Sequence, residues 1–155
     1  MIDISTLPYR SCVGICLMNG DGLIWLGERI DTPGAWQMPQ GGIDKGEDVI
    51  LAARRELREE IGTDKMDVVA LHDGLLRYDL PATHKHLWKG KYRGQEQQWV
   101  YARFTGTDHD IVLDGDDHPE FSQWKWCTPD FAMGLIVPFK RDVYERVFAS
   151  LPTLS

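Results

Sequence analysis

Cysteine is scarce in this 155-residue chain: Cys12, Cys16 and Cys127 are the whole complement. An odd number of thiols in a chain of ordinary domain length argues against a disulfide scaffold. Cys12 and Cys16 lie four apart in an apolar run, with no Cys or His nearby to complete a zinc site. Three buried or half-buried free thiols in a reducing compartment are therefore expected. Long hydrophobic runs are also missing. No stretch approaches the roughly 20 apolar residues that span a bilayer, and Met1 to Arg10 lack the basic region and apolar run of a secretory leader. The expected location is cytoplasmic, with no membrane partner. Positive charge is the third deficit: 17 Lys and Arg against 24 Asp and Glu give a net charge of −7. A protein that wraps nucleic acid by bulk charge would be basic, so a polyanion would have to meet a local patch. The surplus acid is free to serve cations. There is no internal repeat or linker, and the balance of 43% hydrophobic to 26% charged residues suits one folded domain over residues 1–155.

Local patterning gives a mixed α/β order. Cys12 to Met18 reads as an apolar strand, Asn19-Gly20-Asp21-Gly22 as a turn, and Leu23 to Leu26 as the return strand of a hairpin. Arg29 to Gly46 is rich in glycine and reads mostly as loop. Asp48 to Ile61 is the strongest helix, and Val68 to Leu80 holds one or two strands. His84 to Gly94 is a basic, aromatic loop; Gln97 to Phe104 is a strand; Asp108 to Glu120 is an acidic loop; Phe121 to Cys127 is a strand. Phe139 to Leu151 forms a C-terminal helix with Pro138 near its start.

The chemistry concentrates in the helix. At about 100° per residue, Ile50, Ala53, Leu57 and Ile61 share one apolar sector. With Glu56 at zero, Glu59 falls at roughly −60° and Glu60 at roughly +40°, so three carboxylates crowd one arc beside the core-facing stripe. Like charges at this spacing weaken a helix, whereas a hard divalent cation would cancel the repulsion and prefers carboxylate oxygen. A solvated acidic face, neutralised by Arg54, Arg55 and Arg58, is the competing reading. The glycine-rich turn running into the helix favours the first, because such a turn can set backbone groups against phosphates or a metal.

The full pattern is Gly41, Glu47, Arg55-Glu56-Leu57, Glu59-Glu60 and Gly62. It resembles the box of the Nudix hydrolase family over residues 41–63, departing only at Thr63, where an aliphatic residue is usual. The resemblance implies an α/β/α sandwich around a central mixed β-sheet and cleavage of phosphoanhydrides in nucleoside diphosphate derivatives. It implies that Glu56, Glu59 and Glu60 hold Mg2+ or Mn2+, several ions being expected with substrate bound, with the Gly41 carbonyl as a further ligand. Arg55 would orient a box glutamate and Glu47 would support it. Metal neutralises an oligophosphate and acidifies a bound water, leaving the protein to position and stabilise. A carboxylate takes the proton of the attacking water.

Further stretches narrow the branch: Tyr9-Arg10, Trp36-Gln-Met-Pro-Gln40-Gly-Gly, Tyr78-Asp-Leu-Pro81, Gly94-Gln-Glu-Gln-Gln-Trp99, Pro119-Glu-Phe-Ser-Gln-Trp124 and Val137-Pro-Phe-Lys140. Together they look like the bacterial RNA pyrophosphohydrolases, also described as dinucleoside polyphosphate hydrolases. By that resemblance Glu120 completes the metal site and is a candidate base. Arg10, Arg29 and Lys140 would contact phosphate or nucleotide, with Gln40 in the same groove. Phe139 would stack on a base, an interaction of about 1–3 kcal/mol, although a core-facing aromatic is the alternative. Tyr78 and Val137 would line the groove. The basic segment His84 to Arg93 would draw in the polyanion. Ser11 and Glu96 depart from the branch pattern, and Glu96 would add negative charge near a polyanion site. The expected partners are 5′-triphosphorylated or 5′-diphosphorylated RNA and dinucleoside polyphosphates such as diadenosine tetraphosphate. Cleansing of the nucleotide pool and a non-catalytic binding module are the alternatives; the second predicts a lost glutamate, and none is lost.

Overall fold

The structure is a computed structural model that describes residues 6–81 and 90–153. In chain order its elements are β1 (Tyr9–Met18), β2 (Ile24–Arg29), β3 (Trp36–Gln37), β4 (Gln40–Gly42), α1 (Val49–Ile61), β5 (Met66–Leu71), β6 (Leu76–Asp79), β7 (Gly94–Phe104), β8 (Phe121–Cys127), α2 (Pro129–Met133) and α3 (Arg141–Ala149). The strands make one mixed sheet. At its centre β1 and β7 run parallel, from Tyr9 beside Gly94 to Met18 beside Arg103. β5 and β6 lie antiparallel along the far edge of β7, and β8 along the far edge of β2.

Alternation along the central strands builds two cores, one per face. Val13, Ile15 and Leu17 with Val100 and Ala102 pack against Ala53, Leu57 and Ile61 of α1. Cys16, Met18, Trp99 and Tyr101 lie under Ala132 of α2 and Val143, Tyr144 and Val147 of α3. This is the expected α/β/α sandwich. All three cysteines are buried free thiols. Gly14 is required at the centre: a Cβ there would come within 2.5 Å of the Trp99 indole, which lies over it.

Helix α1 starts where Asp48 accepts from the Ile50 and Leu51 amides, at 2.9 and 3.3 Å, and ends at Gly62 in the left-handed region (φ 81°). The unusual Thr63 is buried, and its hydroxyl accepts from the Lys65 amide at 3.2 Å. Among the described residues no helix is long and apolar enough to cross a membrane.

Several boundaries differ from the sequence reading. Strand β1 begins at Tyr9, so Tyr9 and Arg10 lie within it, and β7 begins at Gly94. The expected hairpin is barely one: β1 and β2 pair at Met18–Ile24 and then part. The segment read as loop fills the wedge. β4 takes the vacated edge of β1, with Gly14 opposite Gln40, and β3 takes that of β2, with Gly27 opposite Gln37. Sheet pairing across a gap, rather than local propensity, makes these short strands. The C-terminal helix is split into a 3-10 turn, Pro138–Lys140, and α3. The one-turn α2, capped by Thr128 with Pro129 at its first position, is additional.

Candidate active site

The wedge between β1 and β2 opens into a cavity of about 720 Å³. One wall is acidic. α1 points Glu56, Glu59 and Glu60 at it, and Glu120, just before β8, lines it too, its charge acting on Glu60. Glu60 is only 6% exposed and accepts a hydrogen bond from the Gln40 amide at 3.2 Å. Burial, then the charges of Glu56 and Glu120, push its pKa well above the carboxylate range. Burial also raises Glu56, against the pull of Arg55. Gly41 lies so close that a Cβ would overlap the Glu56 carboxylate.

Arg55, expected to orient a box glutamate, does not line the cavity. It stands behind the wall as a positioning residue. Its guanidinium donates to both oxygens of Glu47 and to the Gly42 carbonyl, each at 2.9 Å, and to Glu56 at 2.8 Å. That fork raises the Arg55 pKa and holds Glu47 down at about 2. Glu59 is 3.5 Å from the same guanidinium.

The other wall is cationic and aromatic. Arg10 from β1 lies across Gly42. Arg29, at the end of β2, donates to the Gln37 side-chain oxygen at 3.2 Å, and Lys140 donates to the same oxygen at 3.0 Å. Lys140 is buried, with its ammonium 5.8 Å from the ring centres of both Tyr78 and Phe139. Burial, then the Arg29 charge, lowers its pKa to about 8. Phe139 is half-buried: it packs on the core, tilts against Tyr78 at 5.6 Å and lines the cavity. Val137 completes this side.

Gly41, Glu56, Glu59, Glu60 and Glu120, expected at the metal, and Arg10, Arg29, Gln40, Tyr78, Val137, Phe139 and Lys140, expected at the substrate, all line one cavity, with Arg55 behind it. Asp31, Thr32, Gln37 and Gln95 also line it and were not foreseen. Asp31 takes a two-pronged ion pair with Arg29, with Nε at 2.7 Å from Oδ1. No sequence signal marked it. Gln95 lies in the stretch Gly94 to Trp99, where its alternation with Gln97 and Trp99 marks a shared strand face. Glu96 does not face the cavity: its carboxylate is paired with Arg77, at 2.7 Å from Nε. Of the basic segment His84 to Arg93, residues 84–89 lie outside the described residues. Arg93 bonds Asp79 at 3.0 Å and covers the Tyr9 ring.

Among the described residues no three His, Cys, Asp or Glu groups converge closely enough to hold an ion as they stand. The donor chemistry nevertheless suits a hard divalent cation: all the donors are oxygen, and the charges of Glu56 and Glu120 raise the buried Glu60 carboxylate more than Arg29 lowers it.

A model of the NUDIX domain family matches residues 8–147. An RNA pyrophosphohydrolase of Dinoroseobacter shibae is 51% identical over 150 residues, covering 94% of this chain and 93% of that protein. One of Roseobacter denitrificans is 53% identical over 149 residues, covering 94% and 92%. Among solved structures, the E. coli dihydroneopterin triphosphate pyrophosphohydrolase superposes with a TM-score of 0.69 at 19% identity, over 90% of this chain and 96% of that one. A C. elegans Ap4A hydrolase binary complex gives 0.66 at 22% identity over the same shares. At such identity these two report the fold.

Proposed function

The chain belongs to the NUDIX family, and on that footing we propose that this hydrolase is an RNA 5′-pyrophosphohydrolase converting 5′-triphosphorylated RNA to 5′-monophosphorylated RNA. The observation that carries the reading is the meeting of both charges in one cavity: Glu56, Glu59, Glu60 and Glu120 line it together with Arg10, Arg29 and Lys140. Carboxylates alone would repel a triphosphate, and cations alone would bind it without activating water. Relatives named RNA pyrophosphohydrolase, similar over nearly the whole chain, support the substrate class. Residues 1–155 act as one unit in this reading, in the cytoplasm.

Glu56, Glu59, Glu60 and Glu120, with the Gly41 carbonyl, would hold Mg2+ or Mn2+, which supplies charge neutralisation and an acidified water. Arg55 keeps the Glu56 carboxylate in place through its fork. Arg10, Arg29 and Lys140 bind and orient the phosphates. Tyr78 and Phe139 offer ring faces to a base, with Gln40 and Val137 completing the groove. Water forms a new bond to phosphorus as a bridging P–O bond breaks. The proton passes to a carboxylate, Glu120 being the candidate, and pyrophosphate leaves. A 5′-diphosphorylated end loses phosphate by the same step, and dinucleoside polyphosphates carry the same bond.

The test compares kcat/KM for pyrophosphate release from a short 5′-triphosphorylated RNA with that for diadenosine tetraphosphate, at saturating magnesium, with Glu60→Gln as control. The expected result is preference for the RNA and loss of both activities in the variant. Magnesium binding without turnover of the RNA would overturn the substrate assignment.

A further inference from the structure

A chain of side-chain amides runs from the core to the cavity wall. The fully buried Trp99 indole donates from Nε1 to the side-chain oxygen of Gln97 at 3.0 Å. An indole nitrogen donates and cannot accept, so the Gln97 atom facing it is the carbonyl oxygen, and the amide NH2 turns the other way. That NH2 meets two acceptors, Oε1 of Gln40 at 2.9 Å and Oε1 of Gln95 at 2.8 Å. Those amides are oriented in turn, with oxygen toward Gln97 and nitrogen away from it. Gln95, Gln97 and Trp99 are alternate residues of β7 and share its face. Gln40 and Gln95 line the cavity, whereas Gln97 is 1% exposed and is not part of the lining. The bare Gly14 opposite Trp99 leaves room for the indole that starts the sequence of bonds.

We propose that Gln97, anchored by Trp99, is a positioning residue that fixes the hydrogen-bonding polarity of this wall, so that Gln40 and Gln95 present N–H donors to the phosphate oxygens of the substrate. Carboxamide oxygen and nitrogen are nearly equal in size, so without the anchor either amide can turn over and show its oxygen to an anion. Donor and acceptor are then mismatched at the same shape. The inference rests on the phosphoanhydride reading, because it needs an anion in this cavity. The Gln40 main-chain N–H also bonds Glu60, so the same segment joins the donor wall to the acidic one.

Gln97→Met keeps the volume and removes the bonds that set polarity. KM for 5′-triphosphorylated RNA should rise about tenfold, the worth of one hydrogen bond to a charged group. kcat should stay within about twofold, because the carboxylates are untouched. Gln97→Glu accepts from Trp99 but demands donors from Gln40 and Gln95, which turns both amides round, so KM should rise further than in Gln97→Met. A merely structural role would instead lower kcat in step with Tm. An unchanged KM in Gln97→Met, or kcat falling with Tm in both variants, overturns the proposal. If the variants do not fold, the wild type decides. In heteronuclear NMR the Gln40 and Gln95 side-chain NH2 signals should shift on titration with inorganic triphosphate and magnesium, with that of Gln97 unmoved; no shift at Gln40 and Gln95 overturns it. Wild-type protein that leaves triphosphorylated RNA intact counts against the functional reading instead, and the same titration still judges the wall.

Discussion

Replacing Gly41 by alanine adds one methyl group where the acidic wall has no room for it. A Cβ on Gly41 overlaps the Glu56 carboxylate. The backbone cannot yield, because Gly41 pairs with Val13 between the Cys12–Gly42 and Gly14–Gln40 pairs. Glu56 must move instead, against a guanidinium that is itself held by Glu47 and the Gly42 carbonyl at 2.9 Å. Gly41 is not among the positive-φ glycines, so backbone strain adds nothing. Displacing a reacting group by about 1 Å costs on the order of 100-fold in rate, or about 2.7 kcal/mol of barrier. Overpacking should remove a further ~1–3 kcal/mol of stability, read as a fall in Tm. The assay is kcat for pyrophosphate release at saturating magnesium, beside thermal melts. Gly20→Ala is the control, since nothing lies within 4 Å of its added Cβ; both readouts should be unchanged. Gly41→Ala combined with Glu56→Gln should lose little beyond Glu56→Gln alone, because both act on one carboxylate. A kcat for Gly41→Ala within about threefold of wild type would refute the reasoning.

Other consequences can be measured on the same samples. An acid whose pKa rises on folding favours the fold at low pH, and that advantage fades as pH climbs from the unfolded value, about 4.3, through the raised one. Glu60 is such an acid, so without divalent metal Glu60→Gln should gain Tm over wild type at pH 8 and lose the gain at pH 4. Magnesium should raise the wild-type Tm at pH 8 but not that of the variant, and an equal rise in both would sink the idea. Lys140, lowered to about 8 by burial, loses its charge early; KM for the anionic substrate should climb above that pH in wild type. Lys140→Arg should flatten the climb if the charge is what matters, and identical profiles would exclude it. Asp48→Ala removes the cap of α1 and should cost about 1 kcal/mol, visible as a small Tm loss with kcat unchanged.

What could be read in advance was whatever one element encodes by itself. Asp48 and Gly62 bound a helix whose period sets Leu57 and Ile61 inward and Glu56 beside them, and that is where the structure has them. Whatever depends on two distant segments was invisible. Trp36–Gln37 and Gln40–Gly42 are too short, in a stretch rich in glycine and proline, for any window to register; they are strands because β1 and β2 part and leave hydrogen-bonding edges between them. Asp31 matters only because Arg29 lies within reach of it. Phe139 was balanced between core and groove, and the split of its helix puts it against both. Glu96 looked harmful near a polyanion, but Arg77, opposite it across β6 and β7, takes up its charge.

The parallel partnership of Tyr9–Met18 with Gly94–Phe104 also governs how the molecule comes into being. The middle of the sheet joins two strands that lie far apart in the sequence, so its closure pays a long-range entropy before any contact rewards it. Val13, Ile15 and Leu17 have no neighbour on that side until Val100 and Ala102 emerge from the ribosome, and Gly14 waits for the indole that will cover it. During that interval one edge of the apolar β1 is unpaired, the kind of edge that chaperones cover and that aggregates without them. Arg10 on β1 and Gln95 on β7 meet only when these strands pair, so a nascent chain halted before Gly94 holds the full set of box glutamates but lacks Gln95, Glu120 and Lys140 from the cavity lining.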